Sequence, residues 1–315
     1  MTAALTVDTL FEVLQTRLAL TWAAGQAGKR RTIRYLPGDD SKDISLTGHL
    51  NFIHPHRIQL IGHTELTYLG SLGKNSRKDI ISQLFSGYSD LVVLCENQPL
   101  ADDIRQRADA TPLPVLTSPL PSQEIINHLQ HYYSHQFAQR ITLHGVFMEV
   151  IGSGVLITGD PSVGKSELAL ELVSRGHRLI ADDSPEFARV SPDEISGTCP
   201  DLLRDFLEVR GLGILNIRAM FGDSAIKQSK FLRLVIHLEK MGEEQIKGID
   251  RLRGSRQTRD ILGVQITEIT LPVAPGRNLA VMVEAAARTH ILALKGYDAS
   301  QVFIERQQKQ IEKNA

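Results

Sequence analysis

Eight consecutive residues, Gly159-Asp160-Pro161-Ser162-Val163-Gly164-Lys165-Ser166, combine two glycines, a lysine and a hydroxyl at the spacing of a phosphate-binding loop, G-x-x-x-x-G-K-[ST]. Gly159 and Gly164 let the backbone fold tightly, so that successive N–H groups point inward at phosphate oxygens. A helix that starts at the end of the loop adds the partial positive charge of its N-terminus. Lys165 contributes a full charge to the β- and γ-phosphates of a nucleotide, and Ser166 a hydroxyl for Mg²⁺. The flanks suit this use. Gly154 to Thr158 is a short apolar run rich in β-branched residues, and Glu167 to Arg175 carries Leu168, Ala169, Leu172 and Val173 on one helical face. The expected local structure is strand, loop, helix.

Acidic residues follow at positions where a nucleotide site would use them. Arg175-Gly176 is a helix stop, and His177 to Ala181 reads as the next strand, delivering Asp182 and Asp183 at its C-terminal end. In an open parallel sheet that edge is where ligands bind, on the side of the phosphate loop. Adjacent carboxylates on an extended strand point to opposite faces, so one suits metal or a supporting role and the other a base. Asp183-Ser184-Pro185 is also a plain turn opener. Further on, Leu207 to Asn216 carries Glu208, Arg210, Gly211 and Gly213 in an apolar setting. Glycine in a strand marks close backbone approach, and Glu208 is placed to complete a Mg²⁺ shell with Ser166 and the phosphates. The plainer reading pairs Glu208 with Arg210 on an edge strand.

Together these blocks resemble the HPr kinase/phosphorylase family of bacteria. The resemblance rests on Leu143-His144-Gly145-Val146, the loop 159 to 166, Leu179-Ile180-Ala181-Asp182-Asp183, Glu208-Val209-Arg210-Gly211-Leu212-Gly213, Asp250-Arg251-Leu252, and Pro272-Val273 with Pro275-Gly276-Arg277-Asn278, in that order over residues 141 to about 300. It implies a bifunctional protein-serine kinase/phosphorylase. ATP or pyrophosphate would phosphorylate a regulatory serine of the phosphocarrier protein HPr, and inorganic phosphate would remove the group again as pyrophosphate. It also implies that His144, Lys165, Asp183 and Arg251 are catalytic, that residues 159 to 166 bind ATP, that Ser166 and Glu208 bind Mg²⁺, and that segments 207 to 216 and 272 to 277 shape the forward and reverse reactions. Asp183 would act as base, while His144 and Arg251 neutralise the transferred phosphoryl group. Lys165, Arg251 and Arg277 are the cations for capturing free phosphate. One departure stands out. The family loop more often has Ser-Gly where this chain has Pro161-Ser162, and proline cannot donate an N–H. Two other readings share the loop: an ATP-sensing regulator without phosphotransfer, and a small-molecule kinase. A sensor has no need of a base, and no arginine-rich lid segment is evident.

The supporting elements read as an α/β protein of two domains, as a length of 315 residues suggests. A small N-terminal α/β domain, residues 1 to 135, is expected from a helix over Thr6 to Trp22, strands at 57–61 and 91–94 around a helix at 76–86, an extended piece at 111–117 and a helix from Gln123 to Phe137. In the family this domain resembles one of the murein-precursor ligases. Residues 136 to 315 form the P-loop nucleotide-binding kinase domain, ending in a helix from about Asp298 that frays beyond residue 308. Family helices at that end help form a homohexamer and contact the substrate protein. A net charge of −1 gives no footprint for nucleic acid. No apolar run reaches the roughly 18 residues of a membrane span, and the N-terminal stretch has Asp8 and Glu12 with no basic start, so a cytoplasmic protein is expected. Cys95 and Cys199 have no metal-spaced partner and read as reduced.

Overall fold

The structure is a computed structural model that describes residues 5–34, 46–51, 56–85, 87–242, 248 and 255–314. The chain divides into two compact units, residues 1–137 and 138–315. Among the described residues no helix is long and apolar enough to cross a membrane.

In the first unit, α1 (Val7–Leu18) starts where the Thr6 hydroxyl accepts the Thr9 N–H at 3.2 Å and buries Val7, Leu10, Leu14 and Leu18 along one stripe. The helix ends four residues sooner than the sequence reading. Ala19 turns left-handed, at φ 47°, and Trp22 falls in strand β1 (Thr21–Ala24). The strands β2 (Thr47–His49), β3 (Ile58–Ile61), β4 (Leu91–Leu94) and β5 (Val115–Thr117) complete a sheet of order β1-β5-β4-β3-β2, parallel except for β1. Helices α2 (His63–Ser71), α3 (Lys74–Leu84), α4 (Asp102–Ala110) and α5 (Ser122–Gln136) connect and cover it. Burial on both faces explains why β4 reads as a continuous apolar run, and β3 is buried throughout with Gln59 as its one polar residue.

The second unit is built on β6 (Arg140–Thr142), β7 (Val146–Val150), β8 (Ser153–Gly159), β9 (Arg178–Ala181), β10 (Glu186–Ser191), β11 (Glu194–Thr198), the hairpin β12 (Phe206–Val209) and β13 (Gly213–Asn216), β14 (Ser229–Lys240), β15 (Arg256–Ile261) and β16 (Val264–Val273). Apart from that two-stranded hairpin they join one sheet, of order β6-β10-β11-β14-β8-β7-β9, with β16 beside β14 and β15 beside β16. Among the described residues its helices are α6 (Lys165–Ser174), α7 (Ile217–Phe221), α8 (Leu279–Leu294) and α9 (Ala299–Asn314). The last helix continues to Asn314 rather than fraying at residue 308. Strands β8, β14 and β16 run parallel and alternate their side chains between two cores. Ile157, Ile236 and Ile269 pack with Leu168, Leu172 and Val283 of α6 and α8. Leu156, Val235 and Ile266 pack on the other face with Phe147 and Phe187, whose rings lie 5.0 Å apart edge to face.

The strand order differs from a simple parallel arrangement in a way that matters. β9 does not pair with β8. β7 lies between them, antiparallel to both. Strands β8 and β9 therefore end at the same edge of the sheet, and β7 begins there.

Candidate active site

That edge collects the groups with chemistry. The chain leaves β8 through the phosphate loop, leaves β9 at Asp182 and Asp183, and enters β7 just after His144. One antiparallel strand thus brings His144 beside carboxylates far from it in sequence. His144 Nδ1 lies 2.9 Å from Asp183 Oδ1, and the Gly145 N–H donates to the Asp183 carbonyl at 3.1 Å. His144, Lys165, Ser166, Asp182, Asp183 and Glu208 line one cavity of about 340 Å³. Pro161, Ser162, Gly164, Glu167 and Arg210 complete its lining.

The loop is shaped by close approach as well as by conformation. A Cβ on Gly159 would stand 2.5 Å from the Leu238 carbonyl oxygen of β14, so only glycine fits where the loop leaves the sheet. Gly164, at φ 100°, sits in open space and is needed for its backbone angle alone. Ser162 adopts φ 65°, a left-handed conformation held by a residue with a side chain. This is the second of the two positions at which the loop departs from the resemblance noted above. Val163 is buried and anchors the loop from below. Lys165 begins α6, is largely buried, and donates Nζ to the carbonyls of Gly159 at 2.9 Å and Asp160 at 3.1 Å. Its ammonium is thereby held across the loop, while Gly159, Asp160 and Val163 form the frame without lining the cavity.

The two aspartates have different surroundings, although not by strand alternation. β9 ends at Ala181, and both residues lie in the bend beyond it. Asp182 is buried and accepts the Glu208 N–H on Oδ2 at 2.9 Å, tying the β12–β13 hairpin to the end of β9. Burial pushes its carboxyl upward and the nearby negative charges of Asp183 and Glu208 add to this, while the N–H groups of Glu208 and Asp183 oppose it. Asp183 is exposed, in a left-handed conformation at φ 63°. A non-glycine residue held there is strained backbone of the kind that clusters at working sites.

On β12 burial alternates strictly, with Phe206 and Glu208 on the exposed face. Leu207 and Val209 are buried, so Glu208 and Arg210 share the exposed face and both reach the cavity. Among the described residues Glu208 and Arg210 form no ion pair with each other, so the plain edge-strand reading fails. The glycines of this stretch serve a hairpin: Gly211 and Gly213 take φ 89° and 88° in and just after the turn. Arg210, Glu167 and the anchoring role of Asp182 were not assigned from sequence. The signal for Arg210 was its two-residue spacing from Glu208. Arg251 lies outside the described residues. Arg277 does not line this cavity but a second one beside it. Cys95 and Cys199 are buried free thiols, pushed up by burial to about 12 and about 11, and neither lines the cavity.

A phosphate loop between a parallel strand and a helix, sharing one cavity with a close His–Asp pair and a second acid, defines a P-loop phosphotransferase. Comparison with known proteins makes this specific. The HPr Serine kinase N terminus family matches residues 5–133, and the HPr Serine kinase C-terminal domain family matches residues 135–307. The chain belongs to the HPr serine kinase family, and it is an enzyme of that kinase class. It is 48% identical over 315 residues to the HPr kinase/phosphorylase of Xylella fastidiosa (strain M12), covering 99% of each chain. It is 48% identical over 314 residues to that of Stenotrophomonas maltophilia (strain R551-3), again over 99% of each. A solved structure of the Hpr(Ser) kinase/phosphatase from Coxiella burnetii is 34% identical, with a TM-score of 0.46, over 52% of this chain and 98% of that one.

Proposed function

We infer that this chain phosphorylates a regulatory serine of HPr with ATP or pyrophosphate, and reverses the reaction with inorganic phosphate to release pyrophosphate. The observation that carries the reading is the convergence of Lys165, Ser166, Glu208 and the His144–Asp183 pair on one cavity. A sensor needs the loop but not the pair. Leu212 and Ile214, 67% and 72% exposed, stand on the hairpin whose Glu208 and Arg210 line the cavity, and large exposed apolar side chains suit a protein acceptor better than a small polar one.

In the forward direction the serine oxygen attacks the terminal phosphorus, the bridging oxygen of the donor leaves, and Asp183 accepts the serine proton. Exposure at the cavity wall lets the Asp183 carboxylate reach an incoming hydroxyl, and its 2.9 Å contact lets His144 orient it and offset charge on the phosphoryl oxygens. Lys165 and Arg251 neutralise the remaining charge. In reverse an oxygen of inorganic phosphate attacks the phosphoserine phosphorus, the P–O bond to serine breaks, and Asp183 returns the proton. One residue serves both directions by microscopic reversibility. Ser166 and Glu208 fit Mg²⁺: both offer hard oxygen donors to the same cavity, and Mg²⁺ takes few protein ligands when phosphates and water supply the rest. Bound there, it would offset charge on the phosphates. Asp182 keeps the Glu208 backbone in register for that role.

A homohexamer is part of this reading. Val281, Leu292, Leu294, Tyr297, Phe303 and Ile311 leave apolar surface exposed along the last two helices and the turn between them, which supports self-association. The direct test is to incubate the purified chain with HPr, ATP and Mg²⁺ and measure intact mass. One added phosphoryl group, confined to serine, is expected. Unchanged HPr overturns the reading.

A further inference from the structure

One aspartate of the first unit gathers more positive charge than it neutralises. Asp90, just before β4, is fully buried, and a buried carboxylate needs a partner. Arg34 alone supplies one: its backbone N–H meets Oδ2 at 3.0 Å, and its guanidinium meets Oδ1 through Nε at 3.0 Å and Nη2 at 2.7 Å. Arg31 adds a second guanidinium, with Nε 3.3 Å from Oδ1 and Nη2 donating to the Ser89 carbonyl at 3.1 Å. Arg57 adds a third. Its Nη1 donates to the Tyr88 carbonyl at 3.0 Å, and it forms no ion pair with any described residue. Burial holds the Arg57 guanidinium below its ordinary value, the charge of Arg34 adds to this, Asp90 opposes it, and Arg31 lowers it again. Among the described residues the cluster therefore carries a surplus of two positive charges. Holding the loop at 87–90 needs one such arginine, and the mutual repulsion of three works against the fold unless an anion offsets it.

We propose that Arg31, Arg34 and Arg57 form a binding site for the phosphate group of a small molecule. Charge decides the class. A phosphate dianion balances the surplus of two, whereas a single carboxylate leaves one cation over. The donors agree with it. Each guanidinium carries five N–H groups, of which the bonds to Asp90 and to the carbonyls of residues 87 to 89 take only part. The Arg31 and Arg34 side chains are 28% and 48% exposed, so the remaining donors are within reach of a ligand. Planar guanidinium forks grip two phosphate oxygens at a time. The same bonds to Asp90 and the loop carbonyls fix the forks before the anion arrives, which lowers the cost of ordering long side chains around it. The proposal gives the first unit a ligand and does not depend on the chemistry of the second.

Hydrogen exchange followed by mass spectrometry reads this site locally and so separates it from the phosphate loop at 159–166. The full chain is compared without ligand, with inorganic phosphate and with glycerol 3-phosphate, at an ionic strength held constant with sodium chloride. At about ten times the dissociation constant, exchange over 87–94 should slow about tenfold where an amide opens only after the anion has left. Arg57→Gln should lose that slowing and keep any protection that phosphate gives at 159–166, while Arg57→Lys, which keeps the charge, should retain part of it. Glutamine at this position leaves both arginine partners of Asp90 in place, and an unchanged exchange pattern elsewhere shows that the variant is folded. Slowing by the ester as well as by free phosphate assigns an organic phosphate as ligand, and slowing by free phosphate alone assigns the inorganic ion. No slowing over 87–94 in wild type with either anion, or equal slowing in Arg57→Gln, overturns the proposal. The first of these results would mean that the chain supplies its own countercharge, for which Asp39, Asp40 and Asp43 stand nearest to Arg34 in sequence.

Discussion

Lys165 is the residue on which both directions of the reaction depend most simply. The ammonium already spans the Gly159 and Asp160 carbonyls, so it is held where phosphate oxygens would meet it. ATP, pyrophosphate and phosphate share that cradle, and Lys165→Ala should abolish both directions, at a cost of about 2 to 4 kcal/mol of transition-state stabilisation. Near-normal kinase turnover in that variant would rule out a catalytic loop. Asp183→Asn keeps shape but cannot take a proton. Phosphorylation of HPr should fall by roughly 10² to 10⁴ while calorimetry with a non-hydrolysable ATP analogue shows binding preserved. Collapse of binding instead would make Asp183 a metal ligand and turn attention to Asp182. Ser162 tests strain. Its left-handed φ of 65° costs more for serine than for glycine, so Ser162→Gly should raise stability to denaturant by about 0.5 to 1 kcal/mol, once the extra freedom of glycine in the unfolded chain is subtracted. A loss would mean that the serine side chain holds the turn. These residues were legible because their types carry the chemistry: the G-x-x-x-x-G-K-S spacing and the two acids need no fold to be noticed. Their conformations were not, since nothing local to Asp182-Asp183 reveals that one is buried under a neighbouring hairpin and the other turned left-handed.

Elements decide how those residues meet. The strand, loop and helix around the phosphate site could be read directly, because a period of two before the glycines and of 3.6 after them are local signals. Strand order could not. β7 inserts between β8 and β9 through pairings with residues up to 34 positions away, such as Phe147 with Ala181, and only that insertion explains how His144 reaches Asp183. In the same way the helix expected to reach Trp22 ends at Leu18, because the following residues find a partner in β5. A clasp between α8 and the end of α6 was equally hidden. Glu284 of α8 accepts two hydrogen bonds from Arg175, at 2.9 and 2.8 Å, and lies 2.9 Å from His177. The Arg175 hydrogen bonds, then that of His177, hold its carboxyl down at about 2. A depressed carboxyl stabilises the fold above its unfolded value near 4.5, and that contribution is lost as pH falls toward 2. Thermal unfolding of Glu284→Gln should therefore show a lower midpoint than wild type at neutral pH, with the gap narrowing between pH 4.5 and 2. A gap independent of pH would mean that the clasp works by shape alone.

For the whole molecule, two units of α/β structure place the described groups of the chemistry in the second, and the first carries no motif that names a ligand. The exposed apolar side chains of α8 and α9 make assembly the expectation: light scattering on the purified chain should give a mass near six copies, and a concentration-independent monomer would contradict this. Bifunctionality is the claim that separates this chain from an ordinary kinase, and one measurement reaches it most directly. Phosphoserine-HPr is incubated with the enzyme and Mg²⁺, with and without inorganic phosphate, while HPr mass and pyrophosphate are followed together. Loss of the phosphoryl group only when phosphate is present, with pyrophosphate appearing in equal amount, is the predicted result. Dephosphorylation that runs equally well without added phosphate and yields no pyrophosphate would show a hydrolase using water, and would contradict the account.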